Sequence, residues 1–161
     1  MAGFIRNLSV VQFNMKVYVT YKFKEEEPNA LRKHLEEFSK LIEDSTGWKT
    51  FIFFRDVQKW EVGKMAMKAV VTRAMEEIKK CDAILVEASE KARGVYFEAG
   101  YAKALGKKVI VIHKKDSEAN FLDSSADVKI GYENDEDLRE KLAKVHFPIS
   151  PAEFHDIAGG I

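Results

Sequence analysis

The chain has 161 residues, and its 26 Lys and Arg are balanced by 26 Asp and Glu, so the formal net charge is zero. This length predicts about one domain. A composition of 46% hydrophobic and 32% charged residues excludes an intrinsically disordered chain. Because the charge is balanced, neither a nucleic acid polymer nor an acidic membrane is expected as a partner.

The sequence also argues against a disulfide framework and a metal centre. Cys81 is the single cysteine, and the four histidines show no metal-ligand spacing, so we expect no metal. No apolar run approaches the roughly 20 residues that span a bilayer. The start of the chain lacks the pattern of a signal peptide, which leaves a cytoplasmic protein as the expectation.

Strand and helix patterns alternate along the chain. Residues 16–21 are rich in β-formers and predict a first strand, and Pro28 then opens a helix with apolar residues at helical spacing. The apolar residues 50–54 predict a second strand, and residues 55–63 predict a loop. The predicted elements that follow are a helix at 67–80, a buried strand at 83–86, a helix at 95–105, a buried strand at 108–112, an edge strand at 128–132 and a closing helix at 135–145.

This alternation predicts an α/β fold: a three-layer, doubly wound, flavodoxin- or Rossmann-like domain with a mostly parallel sheet of about five strands. We divide the chain into an N-terminal extension (1–14), the α/β domain (15–145) and an irregular C-terminal tail (146–161). Ligands of such folds bind at the carboxyl ends of the strands, so the residues that follow each strand are the candidates for a site.

The stretch from Cys81 to Ile112 is the most informative. A buried strand leads into a polar loop, and Gly94 then opens a helix that contains Glu98, the sole charged residue between Gly94 and Ala102. We expect a partly desolvated carboxylate that faces the backbone N–H groups at the start of its helix. Burial would raise its pKa and the N–H groups would lower it, and the sequence leaves the balance open.

Two interpretations apply to each of two acids. Glu98 is either an acid that stabilises the start of its helix, or a nucleophile that attacks an anomeric carbon and holds the sugar as a covalent ester. Glu87, at the end of the central strand, also has two interpretations. It is a second catalytic carboxylate, which acts on Glu98 or on the departing base, or it is a loop acid paired with Lys91 or Arg93.

The spacing within this stretch carries a family resemblance. An aspartate opens the strand, and a glutamate follows sixteen residues later inside G-x-x-x-E-x-G-x-A. The pattern resembles the signature of the nucleoside 2-deoxyribosyltransferase-like family, which includes the deoxynucleoside 5′-monophosphate N-glycosidases. The residues that carry it are Asp82, Gly94, Glu98, Gly100, Ala102, Gly106 and Lys107.

The resemblance implies roles for three residues. Glu98 takes the place of the family's nucleophile, and Gly94 lies near the sugar or its phosphate. Tyr18 corresponds to an aromatic hydroxyl on the first strand of the nucleotide-hydrolysing branch. The chemistry implied requires no cofactor.

Residues 20–24 replace a loop that often contains glycine in the family, and no glycine is present here. Lys22 and Lys24 in this loop are candidates to attract a 5′-phosphate as point charges, or are solvated beside the acidic residues 25–27.

The resemblance suggests three further substrate contacts. The family carries an aspartate on the helix before the central strand, where residues 72–75 contain alanine instead, and Asp56 is the candidate to take its place. Ser124 and Ser125 are candidates to contact phosphate, from a neighbouring subunit in some members.

We therefore expect cleavage or transfer at the N-glycosidic bond of a nucleoside or nucleoside 5′-monophosphate through a covalent glycosyl-Glu98 intermediate. One alternative is a non-catalytic nucleotide-binding or sensing domain of the same fold, which the altered loop and the missing aspartate favour. Another is an NAD-type N-glycosidase, although redox use of NAD is disfavoured because no G-x-G-x-x-G is present. The resemblance also implies a homo-oligomer, specifically a dimer.

Overall fold

A computed structural model describes residues 14–22, 28–61, 63–117 and 120–147. The predictions for residues 1–13, for Lys24 and for the tail beyond residue 147 lie outside the described residues. The elements within the described ranges are β1 (Lys16–Thr20), α1 (Pro28–Thr46), β2 (Lys49–Ile52), α2 (Phe53–Asp56), α3 (Met67–Lys79), β3 (Ala83–Glu87), α4 (Arg93–Ala104), β4 (Lys108–Lys114), α5 (Asn120–Asp123), β5 (Val128–Tyr132) and α6 (Asp135–Leu142).

The five strands form one sheet in the order β2-β1-β3-β4-β5, and every neighbouring pair is parallel. The predicted α/β architecture is confirmed, with β5 at an edge of the sheet as expected. Because parallel strands need crossover connections, the helices lie on both faces and bury the sheet between them.

The alternation of side chains along β1 decides which residues face which layer. Val17 and Val19 belong to the core on the α1 and α6 side, whereas Tyr18 belongs to the core on the α3 and α4 side. Tyr18 is 1% exposed and Thr20 is 3% exposed. By the same alternation, Thr20 projects from the sheet on the side of Tyr18.

The second strand is shorter than predicted. Phe53 and Phe54 were expected to end the strand but begin the one-turn helix α2 instead. The Asp56 carboxylate accepts the N–H of Ile52 at 2.8 Å, and the Val57 N–H donates to the Phe53 carbonyl at 3.0 Å, so the backbone turns immediately after Ile52. Apolar character alone does not distinguish a strand end from a buried helical turn.

Two aspartates form hydrogen bonds with backbone groups at the amino-terminal edge of the sheet. The Asp82 N–H donates to the Lys16 carbonyl at 2.8 Å, and the Asp82 carboxylate accepts the Lys16 N–H at 2.7 Å. Asp127 makes the same reciprocal pair with Val109, both bonds being 2.8 Å. Asp82 therefore contributes to the family pattern as a residue that holds β3 in register with β1.

The helix α4 packs against the sheet through small residues. Ala99 and Ala102 are buried at 3% and 0% exposure, and their small side chains allow a close approach to the sheet. Gly94 and Gly100 are exposed and face away from this contact. This packing brings the second turn of α4 close to the carboxyl end of β1.

Candidate active site

Glu98 lies in the second turn of α4 and directs its carboxylate at two hydroxyl groups of β1. The Tyr18 hydroxyl donates to Oε1 at 3.0 Å, and the Thr20 hydroxyl donates to Oε2. Because Tyr18 and Thr20 are two residues apart on one strand, they share a face and reach the same side chain. Each carboxylate oxygen therefore has its own hydroxyl donor.

Burial decides the protonation behaviour of this group. Withdrawal from water raises the pKa of Glu98 above its ordinary value, while the hydrogen bonds from Thr20 and Tyr18 lower it without cancelling the effect of burial. Burial, and then the charge of Glu98, raise the pKa of the Tyr18 phenol. Tyr18 therefore stays protonated and able to donate at neutral pH.

This pKa predicts a pH-dependent stability. The folded state binds the Glu98 proton more tightly than the unfolded state, so the free energy of unfolding falls as the pH rises from about 4.5, the group's ordinary pKa, through the raised pKa. Glu98→Gln removes the ionisable carboxyl and with it the free-energy cost of ionising this group in the folded state. Urea titrations should therefore find the variant more stable than wild type above the raised pKa, by about 1.4 kcal/mol for each pKa unit of difference, with the gain vanishing in acid.

The control for this measurement is Glu140→Gln, which removes one exposed acid from α6. It should change stability by less than about 0.5 kcal/mol at every pH. A stability difference between Glu98→Gln and wild type that does not vary with pH would contradict the argument.

The interpretation of Glu98 as an acid at the helix start is not supported by its position. The first turn of α4 contains no Asp or Glu, and the partners of the Glu98 carboxylate are side-chain hydroxyls of β1 rather than backbone N–H groups of α4. The carboxylate instead links α4 to the sheet, at the edge where ligands of parallel α/β folds bind.

Gly94 is the second residue of α4 and is exposed. An added Cβ at this position would meet no atom within 4 Å among the described residues. The backbone at the start of α4 therefore borders open space, where its N–H groups are accessible to an approaching group.

The structure does not bring Glu87 to Glu98. Glu87 follows the alternation of β3 toward the opposite face, where its Oε1 accepts the Ser89 hydroxyl, the Ser89 N–H at 3.3 Å and the Tyr132 hydroxyl at 3.4 Å. Burial, followed by the charge of Glu87, raises the pKa of Tyr132 to about 12. These contacts, rather than Lys91 or Arg93, are the partners found for the Glu87 carboxylate.

A cavity of about 750 Å³ opens at the carboxyl edge of the sheet, between α1 and α6. Tyr21, Lys22, Glu87 and Tyr132 are among its lining residues, and Glu98 is not. Lys22 forms an ion pair with Glu90 at 2.9 Å. This cavity therefore lies on the other face of the sheet from the Tyr18–Thr20–Glu98 cluster.

The remaining predicted contacts are dispersed. Asp56 pairs with Arg55 at 2.9 Å in addition to accepting the Ile52 N–H. The Ser125 hydroxyl donates to the Leu122 carbonyl at 2.8 Å, and Ser124 is exposed just beyond α5. None of these recorded bonds joins them to Glu98.

Thr20 was not among the candidate site residues predicted from sequence, where it belonged to the first strand (16–21) and to the loop at 20–24. The signal that identifies it is the alternation of β1: Thr20 lies two residues after Tyr18 on the same face of the strand, so a side chain that contacts Tyr18 can also reach Thr20.

Two further structural findings concern metals and membranes. Within the described residues, no group of three or more His, Cys, Asp or Glu side chains is arranged to hold a metal ion. Over the same residues, none of the helices combines the length and apolar character needed to cross a bilayer.

Sequence comparison places the chain in a family. The model of the nucleoside 2-deoxyribosyltransferase family matches residues 20–150, most of the chain and all of the elements from α1 to α6. The chain therefore belongs to the nucleoside 2-deoxyribosyltransferase family. No curated protein sequence matches it.

Solved structures share the fold at low sequence identity. A 2-deoxyribosyltransferase from Bacillus psychrosaccharolyticus matches with a TM-score of 0.62 and 20% identity, over 82% of this chain and 93% of that one. The CMP N-glycosidase BcmB from Clostridium botulinum matches with a TM-score of 0.57 and 21% identity, over 79% and 97%. A conserved protein from Enterococcus faecalis V583 matches with a TM-score of 0.57 and 13% identity, over 80% and 97%.

Proposed function

We propose that this protein cleaves or transfers the N-glycosidic bond of a nucleoside or nucleoside 5′-monophosphate, with Glu98 as the nucleophile. The observation that carries the proposal is the half-buried Glu98 carboxylate, held on both oxygens by the hydroxyls of Tyr18 and Thr20 at the carboxyl edge of the sheet. Membership of the family supports N-glycosidase or deoxyribosyltransferase activity in general.

The proposed reaction has two displacements. A Glu98 oxygen bonds to C1′ of the sugar while the bond from C1′ to the base nitrogen breaks, and its electron pair leaves with the base, which acquires a proton. Water or a second base then attacks C1′, and the ester bond breaks to restore the Glu98 carboxylate. Desolvation favours the first step because an anion with little hydration is a better nucleophile.

We place the sugar beside the start of α4. Gly94 borders open space there, and the N-terminal N–H groups of a helix attract anions such as a 5′-phosphate. Contacts from Lys22, Lys24, Asp56, Ser124 and Ser125 stay predictions, as does a role for Glu87 in the departure of the base.

The experiment is to incubate the purified chain with deoxynucleosides, ribonucleosides and their 5′-monophosphates and to measure base release by chromatography. Intact-protein mass spectrometry after an acid quench should reveal an adduct with the mass of the sugar, mapped to Glu98 by peptide analysis. Base release without any dependence on Glu98 would remove the proposed nucleophile. No base release from any member of the panel would remove the catalytic proposal.

A nucleotide-sensing domain is the second candidate function. It is favoured by Ala74, buried at 5% exposure on the helix where the resemblance predicts an aspartate. A thermal-shift screen with the same panel distinguishes the two functions, because a ligand that binds only the folded state raises the melting temperature. Stabilisation without product would support sensing.

The oligomeric state and the cytoplasmic location also stay predictions. The homodimer is supported by two exposed apolar side chains on the α3 and α4 side, Met67 at 75% and Phe97 at 52% exposure. Sedimentation analysis of the full chain tests it directly.

A further inference from the structure

Thr20 ends β1 with its side chain turned toward α4. The residue is 3% exposed, and its hydroxyl donates to Oε2 of Glu98. A buried hydroxyl requires a hydrogen-bond partner, and a carboxylate acceptor makes a stronger bond than a neutral one. The bond joins residues 78 positions apart in the sequence, so it depends on the packing of α4 against β1.

The carboxylate of a glutamate needs such a restraint to hold one orientation. The terminal torsion of this side chain has a broad energy profile, so its own rotamer preference does not fix the plane of the two oxygens. Tyr18 holds Oε1 and Thr20 holds Oε2. Because each ionised oxygen can accept about two hydrogen bonds, one direction on each oxygen stays available for attack.

We propose that Thr20 is a positioning residue that, together with Tyr18, fixes the plane of the Glu98 carboxylate for attack on the sugar. Its value for catalysis rests on the function proposed above. The hydrogen bond from Thr20 to the Glu98 carboxylate does not depend on that function, and its effect can be measured in the protein without substrate.

The hydroxyl of Thr20 also lowers the pKa of Glu98, opposing burial. The titratable groups coupled to Glu98 on β1 and at its end are Tyr18 and Tyr21, whose pKa values the charge of Glu98 raises. Charged groups on the other elements packed against α4 have partners of their own. Glu77 of α3 pairs with Arg73 and Lys80. Glu87 of β3 accepts the hydroxyls of Ser89 and Tyr132, and His113 of β4 lies 3.6 Å from the Asp123 carboxylate. Thr20 and Tyr18 are therefore the two neutral donors to Glu98, and removal of the Thr20 hydroxyl should change the titration of Glu98 directly.

The test compares Thr20→Val, which keeps the shape and removes the hydroxyl, with Thr20→Ser, which keeps the hydroxyl. The readout is a titration of the Glu98 carboxyl carbon by NMR in protein labelled with ¹³C-glutamate, assigned with Glu98→Gln. We expect Thr20→Val to raise the pKa of Glu98 and Thr20→Ser to retain the wild-type titration. Titration curves that coincide for all three proteins would overturn the proposal.

Kinetics supply the second readout. Where wild type releases base, Thr20→Val should lower kcat roughly tenfold, the effect of losing one hydrogen bond to a charged acceptor, while KM changes little. Thr20→Ser should restore most of the rate. Equal losses in both variants would indicate a packing role and overturn the proposal. If wild type releases no base, the NMR titration still decides whether Thr20 holds the carboxylate, so the two proposals fail separately.

Thr20→Ala covers the case in which the valine variant does not fold. It should raise the pKa of Glu98 in the same direction as Thr20→Val. A wild-type titration in a folded Thr20→Ala protein would count against the proposal as well.

Discussion

Replacing Glu98 by Gln is expected to lower kcat for base release by at least about a thousandfold and to abolish the sugar adduct. A neutral amide has no anionic oxygen to form the bond to C1′, and the loss of a covalent nucleophile has effects of this size or larger. Glutamine has nearly the same volume and keeps a carbonyl oxygen that can accept one of the two hydroxyls. The fold should therefore be retained.

The measurement is single-turnover base release on the best substrate of the panel. Glu140→Gln, which removes an exposed acid from α6, is the control and should match wild type. Circular dichroism confirms that both variants are folded. Catalysis by Glu98→Gln within tenfold of wild type would show that the carboxylate does not attack.

Tyr18→Phe is expected to lower kcat/KM by about 10- to 100-fold at neutral pH, since a hydrogen bond to a charged group contributes about 1.5–3 kcal/mol. The Tyr18 hydroxyl donates to Oε1 of Glu98 at 3.0 Å. Its ring stacks on Phe51 with centroids 5.6 Å apart, and phenylalanine preserves that contact. The variant therefore tests the hydroxyl rather than the packing.

The pH dependence of kcat/KM shows whether the Tyr18 hydroxyl stabilises the anionic form of Glu98. In the proposed mechanism Glu98 attacks as an anion, so we expect the rate to rise as the pH passes through its pKa, which burial has already raised. Without the Tyr18 hydroxyl the anion is less stabilised, so the rising limb of kcat/KM should move to higher pH. Tyr101→Phe, a half-buried tyrosine on α4, is the matched control. A rising limb unchanged in Tyr18→Phe would mean that Tyr18 does not stabilise the anion.

Much of the fold was predictable because it depends on local patterns. The alternation of strand and helix requires a parallel sheet with helices on both faces, and the continuous apolar run at 83–86 marked the strand that became β3. The end of β2 was not predictable from apolar character, since Phe53 and Phe54 suit a buried helical turn as well as a strand.

The candidate site was predictable only in part. The residues around Glu98 singled it out as a candidate. Its role as a nucleophile and the role of Tyr18 on the first strand were implied by the family resemblance, and both stay predictions. Thr20 was missed because its role depends on a contact between β1 and α4. Glu87 also follows a strand at the carboxyl edge, yet the alternation of β3 sends it to the opposite face from Glu98.

The sequence by itself determined the layered architecture and the order of its elements, and it singled out Glu98 as a candidate acid, because periodicity and spacing are properties of neighbouring residues. Only the tertiary structure decided the surroundings of that acid. Packing α4 on the sheet through Ala99 and Ala102 withdraws Glu98 from water and brings it to the hydroxyls of Tyr18 and Thr20. Burial then outweighs hydrogen bonding in setting its pKa, a balance that exists only where distant segments meet.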